Sequence, residues 1–371
     1  MKDIINPIRL LFKTLVFALV ISLILVPAIS SSVGKLSIYN WLVPGRDRLP
    51  FSDTPKKAYN LSLFNLDAMF ASHQVSGVKE PADAYRVFIL GDSSTWGTLL
   101  KPEETLAGQL NFLELTGPEG RPLQFYNLGY PTLSLTKDLL LLQESLAYDP
   151  DMIIWLFTLE SFPADKQLTS PLVENNPHAV SRLFQVSGLD LSSYRKDFPM
   201  TTYWDSTLFG QRRNLADILR LQLYGVMWGV TGIDQYYPEG YIEAARDLTD
   251  ELDFHEWQEG EMPINQLALE ILTAGEKAAV GVPMIFVNEP ILISQGVNSE
   301  QRYNFYYPRW AYDEYREALD LFSSDQDLIY LDYWNLVPPE EFTNTAIHTT
   351  PQGVRLLSGE LVPHIQAHLV P

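Results

Sequence analysis

The stretch Arg86-Val87-Phe88-Ile89-Leu90-Gly91-Asp92-Ser93-Ser94-Thr95-Trp96-Gly97 puts a serine hydroxyl where a strand gives way to a helix. Residues 87–90 form an apolar run too short for a helix and stopped by a glycine, the pattern of a fully buried strand. A serine just beyond such a strand sits at the carboxyl edge of a sheet, where open α/β folds bind their ligands. Backbone N–H groups at a helix start lack intrahelical partners and can face a developing anion. The chemistry within reach is therefore one in which negative charge builds on a ligand atom beside a hydroxyl. Asp92, Ser93 and Ser94 would equally serve as a plain helix cap, so the remaining elements must decide.

Those elements alternate. Residues 123–128 read as a second strand ending at Gly129, and residues 135–148 as a leucine-rich helix. Residues 152–157 are the most apolar strand, introduced by the turn Tyr148-Asp149-Pro150-Asp151. Residues 161–262 break the rhythm with many Tyr, Trp, Asn and Pro residues and one helical segment around 214–224, which reads as an insertion or cap. Alternation then resumes: helix 266–279, strand 283–287, helix 309–322, strand 328–331 and a last helix over 351–369. A helix over 102–115 follows the first strand, with Pro102 and two acids at its start. Strands alternating with helices imply a parallel sheet covered on both faces, a doubly wound three-layer α/β/α sandwich of five strands. On that plan Ser93 after the first strand, Gly129 after the second and His348 before the last helix fall at one sheet edge. Asn288, after the fourth strand, lies at the same edge and could supply a side-chain donor.

The chain has 371 residues and a formal net charge of -20, which argues against nucleic acid as a partner because phosphate binding needs a basic patch. It contains no cysteine, so disulfides, thiolate nucleophiles and thiolate metal sites are excluded. His364 and His368 share a helix face, but no glutamate or third ligand accompanies them, and a solvated helix end is the better reading. No metal and no cofactor are expected, and there is no glycine-rich phosphate loop.

Lys2, Arg9 and Lys13 precede an apolar run over 14–28 broken only by Ser22 and Pro27. With residues 10–12 added and Lys13 snorkelling, the run nears the roughly 20 residues of a spanning helix. Basic residues before it put the amino end in the cytoplasm and the remainder outside. The expected helix, about residues 10–28, is a retained signal anchor projecting free of the globular body. Cleavage after Ala28-Ile29-Ser30 is the alternative. The expected organisation is a cytoplasmic tip and anchor over 1–32, a stalk and packing arm over 33–80, and one large domain over 81–371 carrying the insertion at about 161–262.

The order and spacing of Gly91-Asp92-Ser93, Asn127-Leu128-Gly129-Tyr130 and His348 with Thr350-Pro351-Gln352-Gly353 resemble the SGNH (GDSL-type) hydrolases over roughly residues 85–369, the insertion aside. The resemblance implies an SGNH/flavodoxin-like fold and nucleophilic acyl transfer. It implies that Ser93 attacks an ester carbonyl, that His348 shuttles the proton, and that the N–H groups of Ser93 and Gly129 hold the oxyanion.

Two departures stand out. The family's third block, Gly-x-Asn-Asp, aligns with Thr158-Leu159-Glu160-Ser161, so an acid replaces the asparagine that donates to the oxyanion. One lost donor typically costs about 10²–10³ in rate. The aspartate usual three residues before the histidine is Thr345 here, preceded by Asn344. The expectation is that Glu160 pairs with His348, or with a polar group touching it, as a substitute acid, and that Asn288 lies nearer the oxyanion. Glu340, Glu341 and Asp332 are the other acids at hand. The implied function is an exported, membrane-tethered serine esterase, deacylase or acyl transferase acting on a small acyl ester of an envelope glycan. The alternatives are a degenerate domain that binds a glycan or assists envelope-modification proteins, and a lipid-ester hydrolase working at the membrane surface.

Overall fold

The structure is a computed structural model that describes residues 6–26, 35, 40, 45–51, 65–77, 83–190, 193–194, 198, 202–231, 240–260 and 262–369. Five strands, β1 (Tyr85–Leu90), β2 (Leu123–Asn127), β3 (Met152–Phe157), β4 (Met284–Asn288) and β5 (Ile329–Asp332), form one parallel sheet in the order β2-β1-β3-β4-β5. This is the doubly wound order whose switch point lies between β1 and β3, where a ligand crevice opens at the carboxyl ends.

The sheet is covered on both faces because its strands are apolar on both. Phe88 and Leu90 of β1 with Ile153, Trp155 and Phe157 of β3 point into one core, closed by helices Leu135–Ser145, Glu270–Ala278 and Arg309–Asp325. Tyr85, Val87, Ile89, Met152, Ile154 and Leu156 point into the other, closed by helices Leu106–Phe112 and Pro351–Ala367. Strands without a polar face need such two-sided cover. The edge strand β5 is only partly buried.

Residues 45–51 and 65–77 pack as an arm on the first core, with Leu49, Met69 and Phe70 fully inside it. Arg48 stacks on Trp96 at 4.2 Å and donates to the carbonyls of Gly97 (3.0 Å) and Leu100 (3.2 Å). The Trp96 Nε1–H donates to the Leu49 carbonyl at 2.8 Å. The arm thereby clamps the far end of the Ser93 turn.

Local readings differ from the structure in three places. The first helix expected after Ser93 is split into a 3₁₀ turn over Pro102–Glu104 and a helix over Leu106–Phe112. Within 161–262 a second long helix, Pro177–Ser187, precedes the expected one, which itself extends over Arg212–Thr231. At the amino end, helix Pro7–Val20 continues as a π-helical turn over Ile21–Leu25. Pro7–Leu25 is the one segment among the described residues long and apolar enough to cross a membrane, with mean hydropathy 2.3. It does not stand wholly free: Ser22 and Val26 are buried, and Ser22 Oγ accepts from the Leu208 N–H at 3.3 Å. A polar side chain one turn from the end of an apolar helix seeks such a partner. The Ala28-Ile29-Ser30 site lies outside the described residues.

Candidate active site

β1 ends at Gly91, whose backbone folds so tightly over the next helix that a Cβ there would sit 2.3 Å from Thr95 Oγ1. The chain turns into the short helix Ser93–Trp96, capped by Asp92, whose Oδ1 accepts from the Ser94 N–H at 2.8 Å. That cap is the plain role the sequence allowed, and it falls to Asp92, leaving the half-buried Ser93 hydroxyl free to point elsewhere. The Ser93 Oγ lies 2.7 Å from His348 Nε2. His348 reaches it from the loop after β5, and its Nδ1 lies 2.8 Å from Asn344 Oδ1. An amide oxygen accepting from Nδ1–H fixes the tautomer that leaves Nε2 as the acceptor for a serine hydroxyl. The turn is rigid: Thr345 Oγ1 accepts from His348 N–H at 3.1 Å, and the Thr343 N–H and His348 carbonyl pair at 2.8 Å.

Gly129 fits against the backbone of the Ser93 helix so closely that a Cβ would meet Trp96 N at 2.4 Å. Its N–H is nevertheless taken in the free protein, donating to Asn127 Oδ1 at 3.0 Å. Asparagine commonly closes such a turn onto the residue two positions on. The Asn127 amide is in turn anchored on the Thr95 carbonyl at 2.8 Å. Ser93 N–H is the first of its helix and has no protein acceptor among the described residues.

Glu160 does not hold the histidine. Its carboxylate pairs with Lys166 Nζ and lies 3.1 Å from His255 Nε2. His255 is presented by the tight turn Phe254-His255-Glu256-Trp257, whose two central residues have φ of 51° and 68° and whose ends exchange both backbone hydrogen bonds. The Lys166 ammonium and the His255 ring, both from residues 161–262, hold the acid where it stands, burial and Lys166 keeping His255 below the ordinary histidine range, and the imidazole takes the amide of Asn344 instead. Asn288 is likewise not an oxyanion donor. It is fully buried, its Oδ1 accepting from Tyr312 and Tyr315 hydroxyls (3.1 and 3.2 Å) and its Nδ2 donating to Asp332 (2.8 Å). Asp332 is further held by Arg316 at 2.6 and 2.9 Å, and Glu341 accepts from Thr350. These acids are therefore committed away from His348.

Two ionisable groups behind the site escaped the reading of the sequence. Lys137, fully buried, donates to the carbonyls of Gly91 (2.8 Å) and Tyr130 (2.9 Å) and pairs with Asp138 at 2.5 Å. It ties the Ser93 turn to the Gly129 turn. Its signal in the sequence is a lone lysine inside an apolar helix, where a charge survives only if paired. Glu289 is buried beneath Ser94 and accepts from the Ser94 hydroxyl. Burial, with Asp92 beside it, pushes the Glu289 carboxyl well above the usual carboxylate range.

No protein-family model matches the chain, and no curated protein matches it. Among solved structures it is similar to the lipase/acylhydrolase from Enterococcus faecalis, at 13% identity over 77% of this chain and 97% of that one, with a TM-score of 0.39. It is similar to the aryl esterase of M. smegmatis, at 14% identity over 77% and 100% of the two chains, with a TM-score of 0.34. A carbohydrate acetylesterase family member from Sinorhizobium meliloti matches at 12% identity over 76% and 98%, with a TM-score of 0.34. Likeness at this level carries no functional argument, which rests on the geometry of the site. In its sheet order, and in the succession of Ser93, Gly129 and His348 along it, the chain resembles the SGNH (GDSL-type) hydrolases.

Proposed function

We propose that the protein is a serine hydrolase of small acyl esters, tethered to a membrane by Pro7–Leu25 with residues 81–371 as its extracytoplasmic catalytic domain and 161–262 as an insertion in it. The observation that carries this reading is the 2.7 Å contact between Ser93 Oγ and His348 Nε2, with Nδ1 held by Asn344. The Ser93 hydroxyl adds to the ester carbonyl as its proton passes to Nε2, and the imidazolium then protonates the departing alcohol. Water repeats the sequence on the acyl-enzyme to release the acid, or a second alcohol takes the acyl group. The Ser93 N–H holds the oxyanion, joined by the Gly129 N–H once substrate displaces Asn127 Oδ1. Asn344, a neutral acceptor in place of an acid, fixes the tautomer and gives a weaker base than a carboxylate would. An acylated envelope glycan is the substrate class that fits an exported, tethered enzyme with a polar rim of Glu160, Lys166 and His255.

One observation favours a second reading. With Gly129 N–H occupied and Asn288 buried, a single free donor faces the oxyanion, as in a domain that binds a glycan without turnover. Hydrolysis of p-nitrophenyl acetate and of acetylated oligosaccharides by the wild type, Ser93→Ala and His348→Ala separates the two. The hydrolase reading expects turnover that falls about 10³-fold or more in each variant. Acetylated glycan bound at equal strength by all three forms, with no turnover, would establish the binder.

A further inference from the structure

Helix Arg212–Thr231 is apolar on two sides. Its inner face packs Ile218 and Leu221 onto Ala68 of the arm. On its outer face Leu219, Leu223, Val226, Met227 and Val230 are all exposed, between 48% and 79%. At 100° per residue these five fall within one stripe. Such a continuous apolar stripe on a surface helix marks an interaction site.

The occupant is indicated by what adjoins the stripe. The span Pro7–Leu25 has 19 residues, which at 1.5 Å per residue is roughly the 30 Å of a bilayer's hydrocarbon core. Ser22 and Leu23 lie in its last turn, hence at the level where hydrocarbon meets headgroups. The Leu208 N–H donates to Ser22 Oγ and the Tyr203 hydroxyl donates to the Leu23 carbonyl, so residues 203–208 are fixed at that same level. There Tyr203, Trp204 and Phe209 are 61%, 69% and 78% exposed, and the helix starts three residues later. Aromatic side chains with one wet and one apolar end concentrate at that depth. Charge agrees: in a chain of net charge -20, this helix carries Arg212, Arg213 and Arg220 and a single acid, the buried Asp217. Arginines beside an apolar stripe suit anionic headgroups.

We propose that the outer face of helix Arg212–Thr231, together with Tyr203, Trp204 and Phe209, docks in the interface of the bilayer that Pro7–Leu25 crosses. The proposal rests on the tethered reading above. Docking gives the body a second attachment beside its tether and fixes its orientation, so that the catalytic edge keeps a set height above the lipid.

The chain's lack of cysteine permits a direct test on the full-length protein. Single cysteines at Leu223, Leu15 and Phe112 are labelled with bimane, and the protein is placed in vesicles of phosphatidylcholine and phosphatidylglycerol containing a doxyl-lipid quencher. Phe112 is 85% exposed on the opposite layer of the sheet, and Leu15 reports the tether. The expected result is that lipid quenches at least half the Leu223 and Leu15 signals and leaves Phe112 to aqueous iodide. Lipid quenching at Leu15 with iodide quenching at Leu223 overturns the docking and leaves the tether standing. A Leu223 label shielded from both quenchers means that another protein surface covers the stripe, which also overturns it. Iodide quenching at both Leu15 and Leu223 removes the tethered reading and this proposal together.

Discussion

Replacing Asn344 by aspartate tests the base most sharply, because it changes one atom type at a fixed position. Asn344 Oδ1 lies 2.8 Å from His348 Nδ1, so a carboxylate oxygen there stands about 4 Å from the charge centre of an imidazolium. At an effective dielectric constant of about 20, the attraction at that range is about 4 kcal/mol. Much of it is offset by removing the new charge from water, since His348 is buried and Asn344 half-buried. A net gain of roughly 1.4 kcal/mol corresponds to a tenfold stabilisation of the imidazolium that forms as Ser93 attacks. Asn344→Asp should thus raise kcat/KM for p-nitrophenyl acetate roughly tenfold on the plateau. It should also move the acid limb of the pH–rate profile upward by about one pH unit, because a more basic imidazole loses its proton later. Asn344→Leu, which removes the acceptor at similar volume, should lower kcat/KM by about tenfold or more without changing Tm much. An unmoved acid limb in Asn344→Asp, with full activity in Asn344→Leu, would refute the claim that Asn344 orients the base.

Three further outcomes follow from buried ionisable groups. Lys137→Met leaves Asp138 unpaired and removes the donor shared by the Gly91 and Tyr130 carbonyls, so urea unfolding should show a loss of roughly 3–5 kcal/mol; a loss under about 1 kcal/mol contradicts the brace. Glu289 has a raised folded pKa, so its contribution to stability is full below its ordinary value of 4.5 and is lost as pH rises through the folded value. Glu289→Gln should therefore leave Tm unchanged at acid pH and raise it at alkaline pH; a uniform drop at every pH contradicts this. His73 is buried neutral, its Nδ1 accepting from Val75 N–H and Nε2 donating to the Asp47 carbonyl, and burial lowers it from 6.5 to about 4. Its contribution is present above 6.5 and lost as pH falls towards 4, roughly 3 kcal/mol in all. A His73 ring resonance titrating near its ordinary value would contradict that.

The parallel sheet was legible because its strands are short, apolar on both faces and separated by helices with capping residues. β3, Met152–Phe157, is legible to the residue. Ser93 and His348 were legible because the alternation puts both at one sheet edge, in an order and spacing that resemble the SGNH hydrolases. What sequence order cannot convey is which side chain a carboxylate or amide meets across the fold. Glu160 and Asn288 both emerge at the carboxyl edge of the sheet that carries Ser93. Lys166 and His255 from residues 161–262 claim the first, and Tyr312, Tyr315 and Asp332 claim the second. The aromatic-rich residues 161–262 have no period to betray their second long helix, and a side chain's partner for an orphan N–H, such as Asn127 for Gly129, is a matter of rotamer.

The most direct measurement is covalent labelling of the intact protein by a fluorophosphonate, read by peptide mass spectrometry. An activated serine beside an imidazole phosphonylates, whereas an ordinary serine hydroxyl does not. The account predicts a single adduct on Ser93 in the wild type, none in Ser93→Ala, and labelling slowed about a hundredfold or more in His348→Ala. No adduct on Ser93 in folded wild-type protein, or equal labelling in His348→Ala, would contradict it.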